Sequence, residues 1–304
     1  MYDIIIVGGG CAGLSAAMYA SRYEMKVLVL AKLPGGLITT THIVENYPGV
    51  VSWTGMEMAD KFLEHATKFG AEVLSKDVKD VSRDESQNCF VVKTSKDDFF
   101  GRSLVLATGS DHRHLDVPGE KDYANRGVSY CAVCDAAFYK GKVVAVIGGS
   151  DSAAKEALLL SQYASKVYMI YRGAEIRPEP INKKSIEENS KIEIIPNTNV
   201  SEFIGDGEKL VKVLFKEGGE LLIDGAFVAI GQLPNNALAI QLGVALTPKG
   251  EIIIDTESRT NVPLVYAAGD VTQISFRQAI MSAAQGAYAA TSAYEDISQL
   301  KLKN

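Results

Sequence analysis

Cys131-Ala132-Val133-Cys134-Asp135 concentrates more reactive chemistry than any other short stretch of this chain. Two cysteines three apart can close a small disulfide ring, and the thiol that opens it can have its pKa lowered from about 8.5 to about 7 by a helix N-terminus or a nearby charge. Such a pair passes between dithiol and disulfide by thiolate attack, a two-electron exchange. Asp135 follows at once, where a carboxyl can move a proton as the thiolate forms or leaves. Half of a zinc site and two buried structural cysteines are the competing readings. Zinc asks for four ligands, and the remaining Cys11 and Cys89 bring neither a second C-x-x-C nor an adjacent histidine. Redox chemistry is therefore the reading carried forward.

Asp3 to Val7 reads as a buried parallel strand, short, β-branched and closed by glycines. Gly8-Gly9-Gly10-Cys11-Ala12-Gly13 then matches G-x-G-x-x-G, Leu14 to Tyr23 continues as a helix, and Lys26 to Leu30 supplies the next strand. Glycines at the strand-to-helix turn of a β-α-β unit are the context in which this motif binds a dinucleotide. Gly8 allows the tight turn, Gly10 lets a pyrophosphate approach the backbone, and Gly13 lets the helix pack close. The helix N-terminus turns its partial positive charge to the phosphates. A glycine turn with no ligand is the bland alternative. The second strand ends in Ala31-Lys32, without the acid that usually holds a ribose hydroxyl. The following Pro34-Gly35-Gly36-Leu37-Ile38-Thr39-Thr40-Thr41 and Val44 to Gly49, with Asn46, read as loops whose hydroxyls and amides could line a cofactor.

The pattern then starts again. Lys142 to Ile147 is a strand, Gly148-Gly149-Ser150-Asp151-Ser152-Ala153 a turn, Ala154 to Tyr163 a helix and Val167 to Tyr171 a strand. This internal repeat, about 140 residues on, implies a second nucleotide-like ligand. Ser150 stands where the second glycine is expected, adding a side chain where a pyrophosphate must come close. Tyr171-Arg172, with Arg177 further on, replaces the strand-end acid. Arginines there suit a 2′-phosphate, which a guanidinium grips at two points; solvated surface arginines are the alternative.

Met56 to Phe69 is an amphipathic helix, Ala71 to Phe100 is β-rich, and Leu104 to Ala107 is a strand ending in Thr108-Gly109. From Gly205 to Ile230, patterns around Gly218-Gly219 and Asp224-Gly225 predict antiparallel strands. Near the end, Leu264 to Ala268 runs into Gly269-Asp270, and Phe276-Arg277-Gln278-Ala279 precedes a small-residue helix. An acid at a strand's C-terminal end sits where such folds bind ligands. The expected architecture is α/β: two Rossmann-like dinucleotide-binding domains, each of three layers (ββα). The second, residues 116–243, is inserted into a first made of residues 1–115 and 244–304.

The 304 residues are 47% apolar with a net charge of −6, which gives no reason to expect a nucleic acid or an anionic membrane as partner. No apolar stretch approaches the roughly 20 residues needed to span a bilayer. The run Tyr2 to Val7 enters a glycine turn directly, so no signal peptide is expected. Four cysteines are too few for a disulfide scaffold, and a reducing cytoplasm is the expected setting.

Taken together these motifs resemble, along essentially the whole chain, the low-molecular-weight thioredoxin reductases, a family of FAD-dependent disulfide reductases. The resemblance places FAD at Gly8, Gly10 and Gly13, at Gly36, at Thr39, Thr40, Thr41 and Asn46, at Thr108 and Gly109, at Gly269 and Asp270, and at Arg277, Gln278 and Ala279. By the same resemblance Cys134 faces the flavin, Cys131 attacks the disulfide of a thioredoxin-like protein, Asp135 is the acid–base group, and the protein is a homodimer. NADPH would lie on Gly148, Gly149, Ser150, Asp151 and Ser152, with Arg172 and Arg177 at its 2′-phosphate. The chain departs from the family in Leu37 for a glutamine, Ala136 for a glycine, and Ser150 for a glycine of the second turn. Its Tyr171-Arg172-Gly173-Ala174-Glu175-Ile176-Arg177 replaces His-Arg-Arg-x-x-x-Arg. These departures predict weak NADPH binding. Reduced ferredoxin or a deazaflavin is the alternative donor, and a flavoprotein redox sensor without turnover the alternative function.

Overall fold

The structure, a computed structural model, describes residues 1–41 and 44–303, and only the backbone at 133, 134, 232 and 301–303. The chain forms two compact units, residues 1–111 with 234–304 and residues 112–233. The inserted unit is thus shorter than expected and returns after Leu233, not after Gly243. The reason is the helix over 237–241: Leu238 and Ala239 are buried with Val81, Phe90 and Leu104 of the first unit.

In the first unit β1 (Tyr2–Val7), α1 (Cys11–Arg22) and β2 (Val27–Leu30) form the expected β-α-β turn. α2 (Gly55–Lys68) follows, opened by a capping box in which Thr54 accepts from the Glu57 N–H and the Glu57 carboxylate accepts from the Thr54 N–H. Next come β3 (Glu72–Leu74), β4 (Val78–Asp84), β5 (Cys89–Thr94) and β6 (Asp98–Leu106). The sheet runs β3-β2-β1-β6-β5-β4, with β17 (Val265–Ala267) also beside β6. β6 is shared: its first residues pair antiparallel with β5, and its later ones pair parallel with β1 and β17. The central strands are buried on both faces, which is why they read as unbroken apolar runs. One face is covered by α1 and α7 (Ala279–Lys303), whose alanines let the two helices close up. A Cβ at Gly286 of α7 would lie 2.1 Å from the Ala12 carbonyl oxygen. The other face carries the β4–β5 hairpin and α6 (Ala237–Gln241).

The second unit repeats the plan. β8 (Val128–Ser129), α3 (Ala132–Asp135), β9 (Val143–Ile147), α4 (Asp151–Tyr163), β10 (Lys166–Ile170), α5 (Pro180–Glu187), β11 (Ile192–Ile195) and β15 (Gly225–Val228) build a parallel sheet in the order β11-β10-β9-β15-β8. Helices α3, α4 and α5 belong to one face. The antiparallel ribbon β12 (Val200–Gly205), β13 (Leu210–Phe215) and β14 (Glu220–Leu222) packs on the other. Gly225 to Val228 therefore corrects the expectation of antiparallel pairing through Ile230. It is a parallel strand between β9 and β8, and all four of its residues are buried. The short strands β7 (Ser110–His112) and β16 (Gln232–Pro234) pair with each other. Among the described residues no helix is long and apolar enough to cross a membrane.

Candidate active site and nucleotide turns

Cys131 is disulfide-bonded, whereas Cys11 and Cys89 are free and buried. The side chain of Cys134 lies outside the described residues. Cys131 stands between the edge strand β8 and α3, at the C-terminal end of the parallel sheet. Its N–H donates to the Ser129 hydroxyl at 3.1 Å, and its carbonyl accepts the Asp135 N–H at 3.2 Å. Ala132 and Ala136 bury the back of this segment in the same core as α4, leaving Asp135 half-buried. Burial, then the charges of Asp135 and Asp224, push the Tyr139 hydroxyl up. Among the described residues no group of histidine, cysteine or carboxylate side chains could hold a metal.

In the first unit the expected cofactor residues converge on the N-terminus of α1. Gly13 is required by packing: a Cβ there would lie 1.9 Å from the Gly8 carbonyl oxygen. Gly10 is different, because a Cβ there would meet nothing closer than 3.9 Å. Its glycine keeps room open above the helix N-terminus, which has neither a side-chain cap nor an acid in its first turn. Uncapped N–H groups with space in front of them fit a phosphate. Gly36, at φ +67°, lies against Gly10, and the Gly35 N–H donates to the Gly9 carbonyl at 2.8 Å. Gly36 to Thr40 is a 3₁₀ turn and not a simple loop. In it the Thr39 and Thr40 hydroxyls donate to the carbonyls of Gly36 and Leu37, and the Thr41 carbonyl accepts the Gly55 N–H.

The C-terminal segment reaches the same place. Asp270 lies close enough to Cys11 that burial, and then the Asp270 charge, push that thiol up to about 12. Asp270 itself is raised by burial and held in part by the Ser282 hydroxyl at 3.3 Å. The Gly269 N–H donates to Gln285 Oε1 at 2.8 Å, and the Asn46 amide donates to Gln278 at 2.9 Å. Ala279 packs with Cys11, Ile38 and Val44. Thr108 follows β6 beside Gly8, its hydroxyl donating to the Asn235 carbonyl, while Gly109 turns at φ +66°. Arg277 is engaged elsewhere, paired with Glu251 at 2.5 Å. Ser282 and Gln285 were not singled out from sequence; their spacing on the first turns of α7 is the signal that marks them.

The second turn differs. Gly148 takes φ +153° and packs on the Ala229 carbonyl, but the ring of Tyr171 lies flat against Gly149. A Cβ at Gly149 would stand 2.5 Å from that ring, and one at Gly173 2.6 Å from its other side. The Arg177 N–H donates to the Gly149 carbonyl at 2.6 Å, and the Arg177 guanidinium donates to the Tyr171 hydroxyl at 3.1 Å. Ser150 and Ser152 share a hydroxyl contact at 2.9 Å. Asp151 opens α4 with a negative charge. It accepts from the Glu179 N–H and the Asn182 amide and pairs with Lys155, contacts that, against the cost of burial, hold its carboxyl down. Arg172 is exposed.

Two three-layer nucleotide folds, with a cysteine pair at the sheet end of the inserted one, define a pyridine nucleotide-type disulfide oxidoreductase. The comparisons agree: the pyridine nucleotide-disulphide oxidoreductase family matches residues 2–290, and the chain belongs to it. It is 38% identical over 307 residues to a thioredoxin reductase of Listeria innocua, covering 99% of this chain and 95% of that one. The thioredoxin reductase structure from Lactococcus lactis superimposes with a TM-score of 0.95 at 37% identity, covering 98% and 100% of the two chains. The one from T. acidophilum gives 0.92 at 37%, covering 97% and 98%.

Proposed function

We propose that the protein is a thioredoxin reductase that carries FAD on its first unit and passes electron pairs through Cys131 and Cys134 to a thioredoxin-like protein. The observation that carries this is the disulfide at Cys131, placed directly before Asp135's short helix in a chain similar throughout to thioredoxin reductases. In the exchange, the Cys131 thiolate attacks one sulfur of the partner's disulfide. A mixed disulfide forms, and the departing partner thiolate takes up a proton. Cys134 then attacks Cys131, closes the Cys131–Cys134 disulfide and releases the second partner thiol. Two electrons and two protons leave with the partner. Asp135 is the group that exchanges protons with the pair.

The open room at Gly10, the uncapped α1 N-terminus and the partly buried Asp270 fit a dinucleotide whose phosphates meet Gly8 to Gly13 and whose sugar-like chain meets Asp270. FAD, when bound there, supplies the two-electron carrier that recharges the pair. For the second unit we infer weak binding of NADPH. Ser150 narrows the turn, Asp151 sets a carboxylate at the helix N-terminus, and one arginine is missing at Gly173. Reduced ferredoxin or a deazaflavin is then the donor to test beside NADPH. A homodimer in the cytoplasm follows from the resemblance and the cysteine content.

The test is to reduce the FAD-loaded protein with dithionite under anaerobic conditions and then add oxidised thioredoxin. Cys131→Ser should bleach as wild type and transfer nothing. Transfer at the wild-type rate by this variant would remove the cysteine pair from the mechanism.

A further inference from the structure

Two carboxylates share one guanidinium beyond the C-terminal end of β17. Arg277 donates to Glu251 Oε1 at 2.5 Å, in a pair whose side chains are 16% (Glu251) and 30% (Arg277) exposed. The same cation is felt at Asp270: burial raises that carboxyl, and the Ser282 hydroxyl and then the Arg277 charge work against burial. Yet Asp270 takes no hydrogen bond from Arg277. Among the described residues it accepts from the Ser282 hydroxyl alone, at 3.3 Å. Backbone contacts make the two acids neighbours. The Ile252 N–H donates to the Val271 carbonyl at 2.9 Å, and the Gln273 N–H donates to the Ile252 carbonyl at 3.1 Å. Glu251 is thus carried on a segment bonded to the one that carries Asp270.

Glu251 is firmly anchored. Its Oε2 accepts the Thr247 hydroxyl at 3.1 Å, and that hydroxyl accepts the N–H groups of Glu251 at 3.3 Å and Lys249 at 3.2 Å. Salt screens a partly buried ion pair much less than an exposed one. Arg277 Nε is shut off from solvent and has no hydrogen-bond partner among the described residues, so the guanidinium keeps one donor unused while it sits on Glu251. A buried donor left unpaired is costly. With a neutral side chain at 251, Asp270 is the acid that remains for Arg277. Asp270 lies beside the opening of α1: its charge reaches Cys11, and a Cβ at Gly269 would stand 3.0 Å from that of Ala12. A guanidinium on Asp270 would take up the acceptor oxygens that a bound hydroxyl needs.

We propose that Glu251 is a positioning residue of the cofactor site: it holds Arg277 off Asp270 and so leaves the Asp270 carboxylate free to accept from the hydroxyls of the FAD chain. This rests on the FAD reading of the first unit, and the wild-type protein in the test below separates the two.

Protein purified with its FAD is diluted serially, and the freed flavin is read by fluorescence to give a dissociation constant. Glu251→Gln should weaken FAD about 10–150-fold, the loss of one charge-assisted hydrogen bond. In an Arg277→Gln background the same change should weaken FAD by less than about threefold, because no guanidinium is left to move. A crystal structure of cofactor-free Glu251→Gln should show Arg277 hydrogen-bonded to Asp270. Equal weakening in both backgrounds would make Glu251 a brace of the local fold and overturn the proposal. FAD held by Glu251→Gln as tightly as by wild type would overturn it too, as would a crystal structure with Arg277 turned to solvent. Wild-type protein that holds no FAD at all would overturn the FAD reading, and this proposal with it.

Discussion

Replacing Gly173 by arginine restores in name the missing arginine of the second nucleotide turn, but the structure predicts that this change alone fails. The added Cβ would lie 2.6 Å from Cε1, 2.9 Å from Cζ and 3.0 Å from the hydroxyl of Tyr171. The ring cannot retreat, because its opposite edge already lies against Gly149. Overpacking of this kind costs about 1–3 kcal/mol. The gain sought, one charge-assisted hydrogen bond to a 2′-phosphate, is about 1.5–3 kcal/mol, or roughly 10–150-fold in affinity. Gly173→Arg should therefore melt several degrees lower and improve NADPH binding less than about tenfold, since the overpacking offsets most of the hydrogen bond gained. Tyr171→His together with Gly173→Arg removes the clash and frees Arg177 from the tyrosine hydroxyl. It should recover the melting temperature and tighten NADPH by the full 10–150-fold, leaving NADH unchanged. Ser150→Gly should tighten both nucleotides alike. Dissociation constants are measured by titration calorimetry and stability by differential scanning fluorimetry. If Gly173→Arg alone keeps the wild-type melting temperature and binds NADPH as tightly as the double variant, the matched packing of Tyr171 between two glycines is not what closes this turn.

Two further predictions concern partly buried carboxyls whose folded pKa is raised, so that stability is lost as pH rises from the unfolded value through the folded one. Glu156 on α4 has an Oε2 shut off from solvent with no hydrogen-bond partner among the described residues, and burial pushes its carboxyl up to about 8. Melting temperature should fall between pH 5 and 8, by at most about 5 kcal/mol in stability, and Glu156→Gln should flatten that slope; an unchanged slope would refute the assignment. Asp270 is raised by burial as well. Asp270→Asn should make the cofactor-free protein melt higher at pH 7 while the yellow protein loses FAD on gel filtration. FAD retention equal to wild type would place the cofactor's chain elsewhere.

What could be read from sequence here is what sterics force into a local pattern. Gly13 tolerates nothing larger because a Cβ meets the Gly8 carbonyl at 1.9 Å, and that contact spans only five residues, so a motif records it. The same holds for Cys131 to Asp135 and for the repeated strand-turn-helix. Gly225 to Val228 leaves no such local record, for the opposite reason. Whether a short apolar run pairs parallel or antiparallel is decided by β9, some 80 residues earlier in the chain. The end of the inserted unit is non-local in the same way, since Leu238 and Ala239 declare their unit only through Val81 and Leu104. Tyr171 shows how the two kinds of information combine. Its departure from the family pattern and that of Gly173 look like separate losses in sequence, and each weakens the case for NADPH independently. In the fold they are one change, because a ring of that size needs an empty position at 173 and another at 149. The erosion of the second turn is therefore a packed alternative arrangement, stabilised by the Arg177 hydrogen bonds to Gly149 and Tyr171. Reversing it takes coordinated substitutions, not the return of single residues.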